Sequence, residues 1–589
     1  MFKSNAITSM PSEKTTLPRL NIPTGASSKS RPQYRAKQLE RWAAELPIGN
    51  TTVATHQMLE RLKELNSTRY SYKERLQLHN TLRPVFTELL HAIRQPLRQA
   101  NIPLDQEQLY RANLMQTLLE HMALAYKQVV SELSTQPKLK EYDSMLLTEG
   151  IYLAMTFLSQ RLVDAYGMYA PEPGKVWSDL HQLYNFAAAK QLLHQPVDDP
   201  YPDTPLPVQL TIDFAYKRIL LLSLAEPYHL MQYEADDMYR LISSSVANCA
   251  IEPFSEFVTS GEYLIDIESD SGPRFVEKEN QWQPIDPRII DLTRVKLQLN
   301  IHLQRLLSSS LNTSEFESVS LIERQQRDML LRLADAWNAV LVRSTQRYSL
   351  SAQIELSSGL NASHHYVSEG VQFTPEVDEL KLVTNSDADT KEPEQRNDTI
   401  FATAYQDAVQ KDRIHESHNY TLNPWSQKNI SPIGIALNCK QAGNNIDVRV
   451  GELVTYRIPQ KGKSSKKAHR WHIGVIRWLQ HEFTEETEGN VNIGIMNIAN
   501  GAVPIGSKAI KGLGSGTDYF RGLLIPKQVC LKQTRSLVVP ALLYDVGTVL
   551  AINMKQRLFY AKLTRMLLST RSFTQFDFEI IKRPVEFEL

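Results

Sequence analysis

The chain has 589 residues, of which 42% are hydrophobic and 22% are charged, and Lys plus Arg equals Asp plus Glu at 65 each. This length is too great for one hydrophobic core and predicts about three or four domains. The balanced charge argues against binding of bulk nucleic acid or of an anionic membrane surface, so any anion site has to be local. Three cysteines that lie far apart argue against a disulfide framework and against a zinc ribbon.

The N-terminus lacks the apolar stretch of a signal peptide, and the sequence has no run of about eighteen apolar residues. We therefore expect a cytoplasmic protein without a membrane span. Residues 1–30 are rich in Ser, Thr, Pro, Lys and Gly, which predicts a disordered tail.

From about residue 31 to residue 320 the hydrophobic pattern is helical. One buried stripe follows the spacing i, i+3, i+4, i+7 and i+11, at Met115, Leu118, Leu119, Met122 and Tyr126. Similar stripes occur at 74–98, 144–166, 175–193, 208–225 and 232–247. We expect an all-α domain over 31–320 whose surface binds a protein partner. A tetratricopeptide-like array stays open as one form of it, although no regular 34-residue repeat is present.

After about residue 320 the pattern changes from helix to strand. A last helical stripe leads into Arg343-Ser-Thr-Gln-Arg347, and residues 350–356 then alternate strictly between polar and apolar. Residues 371–415 are rich in acids and predict a long loop or insertion. Further strands are expected in a series that would close a small antiparallel barrel, at 433–437, 448–457, 471–478 and 491–496. Apolar runs after residue 520 predict a small β-rich subdomain over 511–589.

Several short motifs occur in a fixed order in this second half. After Arg343-x-x-x-Arg347 and the alternating strand come Asn429-x-Ser431-x-x-Gly434, then Val450-Gly-Glu-Leu-Val454 and Trp471-His-Ile-Gly-Val-Ile-Arg-Trp478. This order resembles the PilZ domain, whose best-known members bind cyclic di-GMP, and the apolar helix around 216–228 resembles the helical region of large PilZ proteins. The resemblance implies a multidomain α + β protein, with an all-α domain, a PilZ-like antiparallel β-barrel over 321–510 and the C-terminal subdomain.

The resemblance also implies a ligand site. Arg343 and Arg347 would bind phosphates or guanine edges through their guanidinium groups, which donate in pairs and stack on bases. Asn429 and Ser431 would accept hydrogen bonds from guanine, and Gly434 would allow a close approach. Ligand-binding members more often have aspartate in place of Asn429, so weaker binding is expected.

The same residues have plainer interpretations. Two arginines four residues apart are common at helix C-termini, and Asn and Ser at a strand entry often bond their own backbone. Lysines between residues 461 and 467 fit a solvated hairpin loop that protects an edge. His364-His365 has too few neighbouring ligands to predict a metal site, and no nucleophile, base or phosphate loop is clustered in the sequence.

We therefore expect a signalling effector that is not an enzyme and has no catalytic residue, metal or cofactor. It would bind cyclic di-GMP and act on a protein partner through its helical domain. Two alternatives stay open. One is a PilZ-like scaffold or adaptor that ignores the nucleotide, in motility, pilus or envelope processes. The other is an enzyme that uses a pocket around His472.

Overall fold

The computed structural model describes the whole chain except residues 1–16, 24–33, 99, 137, 205–207, 233, 255–262, 276–283, 312–320, 339–347, 349–350, 372, 374–419, 432, 441–445, 460–470, 485–486, 528–533, 555–556 and 583–589. Arg343, Arg347 and nearly all of the predicted acidic insertion lie outside the described residues. Within the described part, a helical domain is followed by two closed β-barrels, which confirms the predicted multidomain α + β architecture.

The helical domain consists of eight helices: α1 (Ala36–Ala44), α2 (Thr51–Ser67), α3 (Tyr72–Arg98), α4 (Gln106–Ser134), α5 (Glu141–Gly167), α6 (Val176–Ala189), α7 (Ile212–Ser223) and α8 (Glu234–Ile242). The predicted stripe from Met115 to Tyr126 is the buried face of α4. Helix α5 packs against α4, α6, α7 and α8. A helix surrounded by four others belongs to a globular bundle, whereas in a linear array each unit contacts only its neighbours.

A small sheet that the helical pattern does not predict follows the bundle. It contains β1 (Ala250–Pro253), β2 (Tyr263–Asp266), β3 (Arg274–Phe275) and β4 (Pro287–Asp291) in the order β1-β4-β2-β3. Helices α9 (Thr293–Leu311) and α10 (Leu321–Asn338) come next and pack on each other. Trp337 of α10 is fully buried, and its indole N–H donates to the Leu221 carbonyl of α7 at 3.4 Å. Helix α10 therefore packs on the helical domain, although the barrel was predicted to begin at residue 321.

The first barrel closes through six antiparallel strands in the order β10-β7-β6-β5-β8-β9. These are β5 (Gln353–Ser358), β6 (Asn423–Ser431), β7 (Gly434–Lys440), β8 (Leu453–Arg457), β9 (His472–Thr484) and β10 (Thr487–Ala499). A short helix, α11 (Leu360–Val367), follows β5 and contacts strands of both barrels. The barrel is joined to the helical domain by backbone hydrogen bonds, from Val448 N–H to the Ile102 carbonyl at 3.1 Å and from His481 N–H to the Tyr169 carbonyl at 2.8 Å.

The predicted C-terminal β-rich region is a second closed barrel of six strands in the order β11-β12-β13-β16-β15-β14. Its strands are β11 (Val503–Lys511), β12 (Phe520–Ile525), β13 (Ser536–Pro540), β14 (Val549–Met554), β15 (Arg557–Ser569) and β16 (Phe573–Ile581). It therefore begins at residue 503, a few residues before the predicted boundary at 511. Leu453 and Val475 of the first barrel share one buried apolar cluster with Leu523 and Phe573 of the second. The two barrels are thus packed through a common core.

Part of the predicted N-terminal tail lies on the helical domain. Residues 17–23 lie there without regular secondary structure, and the Asn21 N–H donates to the Asp179 carboxylate at 2.7 Å. The prediction of disorder for residues 1–30 therefore does not hold for this segment. A composition rich in Ser and Pro does not reveal such a piece, because its contacts include backbone hydrogen bonds at Arg19 and Asn21.

Candidate functional site

The Arg343 and Arg347 motif lies outside the described residues, but both of its flanks are described. On one side α10 ends at Asn338 on the helical domain. On the other side, Tyr348 pairs with Ile430 of β6 through two backbone hydrogen bonds of 2.9 and 3.0 Å. Tyr348, the residue that follows the arginine motif, therefore lies beside the strand that contains Asn429 and Ser431.

A β-bulge in β6 determines which way Asn429 and Ser431 point. Gln427 pairs with Leu437 of β7, whereas Asn429 pairs with Ala436, so Lys428 is an extra residue. Leu437 is fully buried, and its partner Gln427 shares the inner face of the barrel. The bulge shifts the alternation by one residue, and Asn429 and Ser431 therefore point to the outer face. Without it, the side chain of Asn429 would point into the core.

Asn429 and Ser431 form a pair of polar groups two residues apart on this face. Ser431 Oγ donates to the Gly434 carbonyl at 3.3 Å, which leaves the hydroxyl oxygen able to accept. The Asn429 amide makes no hydrogen bond to any residue of the described chain, and it is half-buried. The strand thus holds two acceptors in fixed positions, the Asn429 amide oxygen and the Ser431 hydroxyl oxygen. Such a pair suits a planar group with two donors, such as the guanine edge.

Gly434 begins β7, three residues after Ser431, and packs closely against a neighbouring strand. A Cβ at this position would lie 2.4 Å from the Ile495 carbonyl oxygen of β10. Two chain atoms cannot approach that closely, so the barrel itself requires glycine here whether or not a ligand binds. The motif was predicted to open one strand, but it spans the hairpin between β6 and β7, with Asn429 and Ser431 on the first strand.

The two later motifs lie in the same barrel. Gly451 has a φ of +85°, a conformation that favours glycine, and it precedes β8. Gly474 of β9 comes so close to β10 that a Cβ would lie 2.9 Å from the Met496 carbonyl oxygen. Arg477 was expected at the surface or beside a neighbouring strand. It is partly buried near the helical domain, where burial lowers its pKa and the Asp335 carboxylate opposes this shift.

The histidines that the sequence analysis considered have structural surroundings. His364 of α11 is buried with its ring 5.2 Å from that of Phe373, and burial followed by the Arg521 charge lowers its pKa to about 4. His472 stacks on Tyr456 at 5.2 Å, and its Nδ1 lies 3.2 Å from the Asn500 side chain. Within the described ranges, no group of three or more His, Cys, Asp or Glu side chains could hold a metal ion.

Two features of the site were missed at the level of sequence. Tyr348, whose backbone pairs with Ile430 of β6, carries no recognisable motif. Strand β6 was not predicted before residue 429, although Trp425 and Gln427 are both buried two residues apart. Because Gln427 is polar, the sequence shows no apolar alternation that would mark this part of the strand. Among the described helices, none is long and apolar enough to cross a membrane.

Comparison with known proteins agrees with this architecture. Residues 37–255 match the family model of the N-terminal domain of the cyclic-di-GMP receptor FimW, residues 263–504 match its middle PilZ domain, and residues 505–581 match its C-terminal β-barrel domain. The chain is also 26% identical to the cyclic-di-GMP receptor FimW of Pseudomonas aeruginosa, in an alignment that covers 92% of this chain and 90% of that protein. The chain therefore belongs to the PilZ-domain family, in the large form in which a helical N-terminal region precedes the PilZ barrel.

Proposed function

We propose that this protein is a receptor for cyclic di-GMP whose ligand-binding residues are Arg343, Arg347, Asn429, Ser431 and Gly434. The observation that carries the proposal is the backbone bridge between Tyr348 and Ile430. It fixes the residue next to the arginine motif beside the strand with the two acceptor side chains. FimW, to which the chain is similar over 92% of its length, is named as a receptor for this nucleotide.

The chemistry of the site is complementary to the nucleotide. The guanidinium groups supply charge for the two phosphates and paired donors for guanine O6 and N7. Asn429 and Ser431 supply acceptors for the guanine N1 and N2 donors. Ligand would draw the arginine segment onto the outer face of the barrel. A ligand that contacts both the arginine segment and the barrel favours the arrangement in which the two meet. The size of this shift is set by how much more tightly the ligand binds that arrangement than the open ones.

We also propose that the protein is a cytoplasmic effector rather than an enzyme, and that it acts on a protein partner through its helical domain. Support for this comes from α10, which directly precedes the arginine motif. Besides burying Trp337 against α7, α10 forms an ion pair of 2.6 Å between Arg332 and Glu234 of α8. Arg343 follows Trp337 by six positions in the sequence, so a change in the arginine segment begins close in the chain to contacts with the helical domain.

Calorimetry with cyclic di-GMP tests the binding proposal. We expect heat of binding with the unaltered protein and none with the double variant Arg343→Ala plus Arg347→Ala. The matched control removes two arginines that are exposed elsewhere in the chain, Arg294→Ala plus Arg557→Ala, and loses the same charge. It should bind like the unaltered protein. Absence of heat with the unaltered protein would refute the proposal.

The second candidate function is a scaffold that ignores the nucleotide. Asn429 favours it, because an amide lacks the charge of the aspartate found more often at this position and so accepts a weaker hydrogen bond. A partner that co-purifies equally well with and without added cyclic di-GMP, together with no heat in the calorimeter, would support this candidate over the first.

A further inference from the structure

The N-terminal strap, residues 17–23, lies across α4 and α6 of the helical domain. Side chains of both helices bind its backbone: the Arg19 N–H donates to Gln182 Oε1 of α6 at 3.4 Å, and two further side chains bind Asn21. Asn21 N–H donates to Asp179 Oδ1 at 2.7 Å, and Lys127 Nζ donates to the Asn21 carbonyl at 2.7 Å. The N–H and the carbonyl of Asn21 are therefore both hydrogen-bonded by side chains of the domain, whereas Asn21 itself is exposed.

Lys127 and Asp179 form a buried ion pair of 2.6 Å, with relative exposures of 4% and 2%. Burying two charges is expensive, and the pair is stable only when further hydrogen bonds satisfy its remaining donors and acceptors. The strap supplies two of these hydrogen bonds. The N–H and carbonyl of Asn21 are thus the chemical complement of this pair, whatever side chain the bound residue has. A tight turn, in which the Ile22 N–H donates to the Leu20 carbonyl at 2.9 Å, presents them.

The side chains of the strap alternate in exposure, so that one side of the peptide faces the domain. Pro18, Leu20 and Ile22 are partly buried, whereas the residues between them are exposed. Leu20 packs against the main hydrophobic core. Selectivity would therefore come from apolar side chains two residues apart, on either side of a residue recognised through its backbone.

Apart from these contacts, the strap makes few polar contacts with the rest of the fold. Arg19 pairs with Glu268 at 3.7 Å, but the Arg19 side chain is 78% exposed, and exposed pairs of this kind contribute little. No residue of the strap is fully buried. Residues 24–33, which join it to the helical domain, are rich in Ser and include a Gly, a composition typical of linkers. These features fit a peptide that can leave its site while the domain stays folded.

We propose that the groove between α4 and α6 is a docking site for a short peptide of a partner protein, and that residues 17–23 occupy it in cis. The partner segment has apolar side chains at alternate positions. The Lys127 and Asp179 side chains bind the backbone of the residue between them. This docking site is separate from the PilZ barrel and does not depend on nucleotide binding.

Hydrogen exchange on the unaltered full-length protein tests whether the strap can leave. The Asn21 amide should exchange at least about tenfold faster than the central amides of α4 and α6, because local opening needs less free energy than unfolding of the helices. Equal exchange rates would show that the strap opens only with the domain, which would overturn the proposal.

Peptide binding tests whether the groove accepts a ligand in trans. The full-length variant Leu20→Asp plus Ile22→Asp releases the strap without altering the groove. A fluorescent peptide with the sequence of residues 15–24 should bind this variant. It should bind the unaltered protein at least about tenfold more weakly, because a tethered segment competes at an effective concentration near a millimolar.

Two controls decide what the peptide contacts. Adding Lys127→Met plus Asp179→Leu to the released variant should abolish binding, since it replaces the ion pair with apolar groups of similar size, a change that buried pairs often tolerate. A peptide with Asp at the Leu20 and Ile22 positions should not bind. Failure of the released variant to bind the original peptide would overturn the proposal. So would a dimer of the unaltered protein that dissociates in the released variant, because the occupant would then be a second copy.

Discussion

Replacing Gly434 by alanine separates two reasons for a glycine in the candidate site. One reason is access for a ligand, and the other is the packing of β7 against β10. The new Cβ would lie 2.4 Å from the Ile495 carbonyl oxygen, where an ordinary contact is at least 3.4 Å. The two strands have to separate by about 1 Å, and neither contact atom belongs to a flexible side chain.

The expected cost follows from this geometry. Overpacking of a well-packed interior costs about 1–3 kcal/mol, and movement of backbone places this case at the upper end. Because a protein with several domains has no single unfolding free energy, the quantity to measure is the local opening free energy. In hydrogen exchange without nucleotide, the local opening free energy at the amides of Ile435 and Ile495 should fall by about 3 kcal/mol.

Gly49 provides the matched control for this substitution. A Cβ at Gly49 meets no atom within 4 Å, and its φ lies outside the left-handed region. Gly49→Ala should therefore leave exchange in β7 and β10 unchanged and should have a neutral or slightly stabilising local effect. Unchanged opening free energy in Gly434→Ala without nucleotide would refute the packing argument and leave ligand access as the reason for the glycine.

Three further predictions concern the site, the junction of the barrels and pH. Asn429→Asp should tighten binding of cyclic di-GMP about fivefold in calorimetry, since a charged acceptor adds about 1 kcal/mol; unchanged affinity would remove Asn429 from the contact. Phe573→Ala should cost about 3–5 kcal/mol and lower exchange protection in both barrels, whereas Phe576→Ala, which lies in the core of the second barrel alone, should act mainly there. The folded-state pKa of His364 is about 4, below its ordinary value of 6.5, so the unfolded chain binds more protons between these values and stability should fall as pH drops from 6.5 to 4. Urea midpoints at pH 7 and pH 5 should therefore differ less in His364→Asn than in the unaltered protein.

The sequence predicted the helical domain and most strands of the first barrel because their periodicity is long or regular. The stripes at 74–98 and 144–166 correspond closely to α3 and α5. The sheet of β1 to β4 was missed because its strands have only two to five residues, too few for an alternation to be read. Helix α11, with eight residues and two histidines, was missed for the same reason.

The motif order proposes the residues of the candidate site, which stay a prediction, but it does not reveal their geometry. Asn429 and Ser431 lie on a strand that precedes the turn, and Gly434 begins the strand after it. The bulge at Lys428 has no sequence signature, since it is a mismatch in pairing between two strands. Gly434 illustrates the same limit, because only the position of the Ile495 carbonyl shows why a side chain is excluded.

The contacts between the first barrel and the helical domain constrain how ligand binding could be relayed. The hydrogen bonds from Val448 to Ile102 and from His481 to Tyr169 join backbone groups of the first barrel to backbone groups of the helical domain. The second barrel is packed on the first through a shared core. Movement of the whole barrel would have to break these contacts together. A change confined to the segment between Trp337 and Tyr348 breaks none of them, so α10 is the element through which binding at the site would reach the helical domain at the lowest cost.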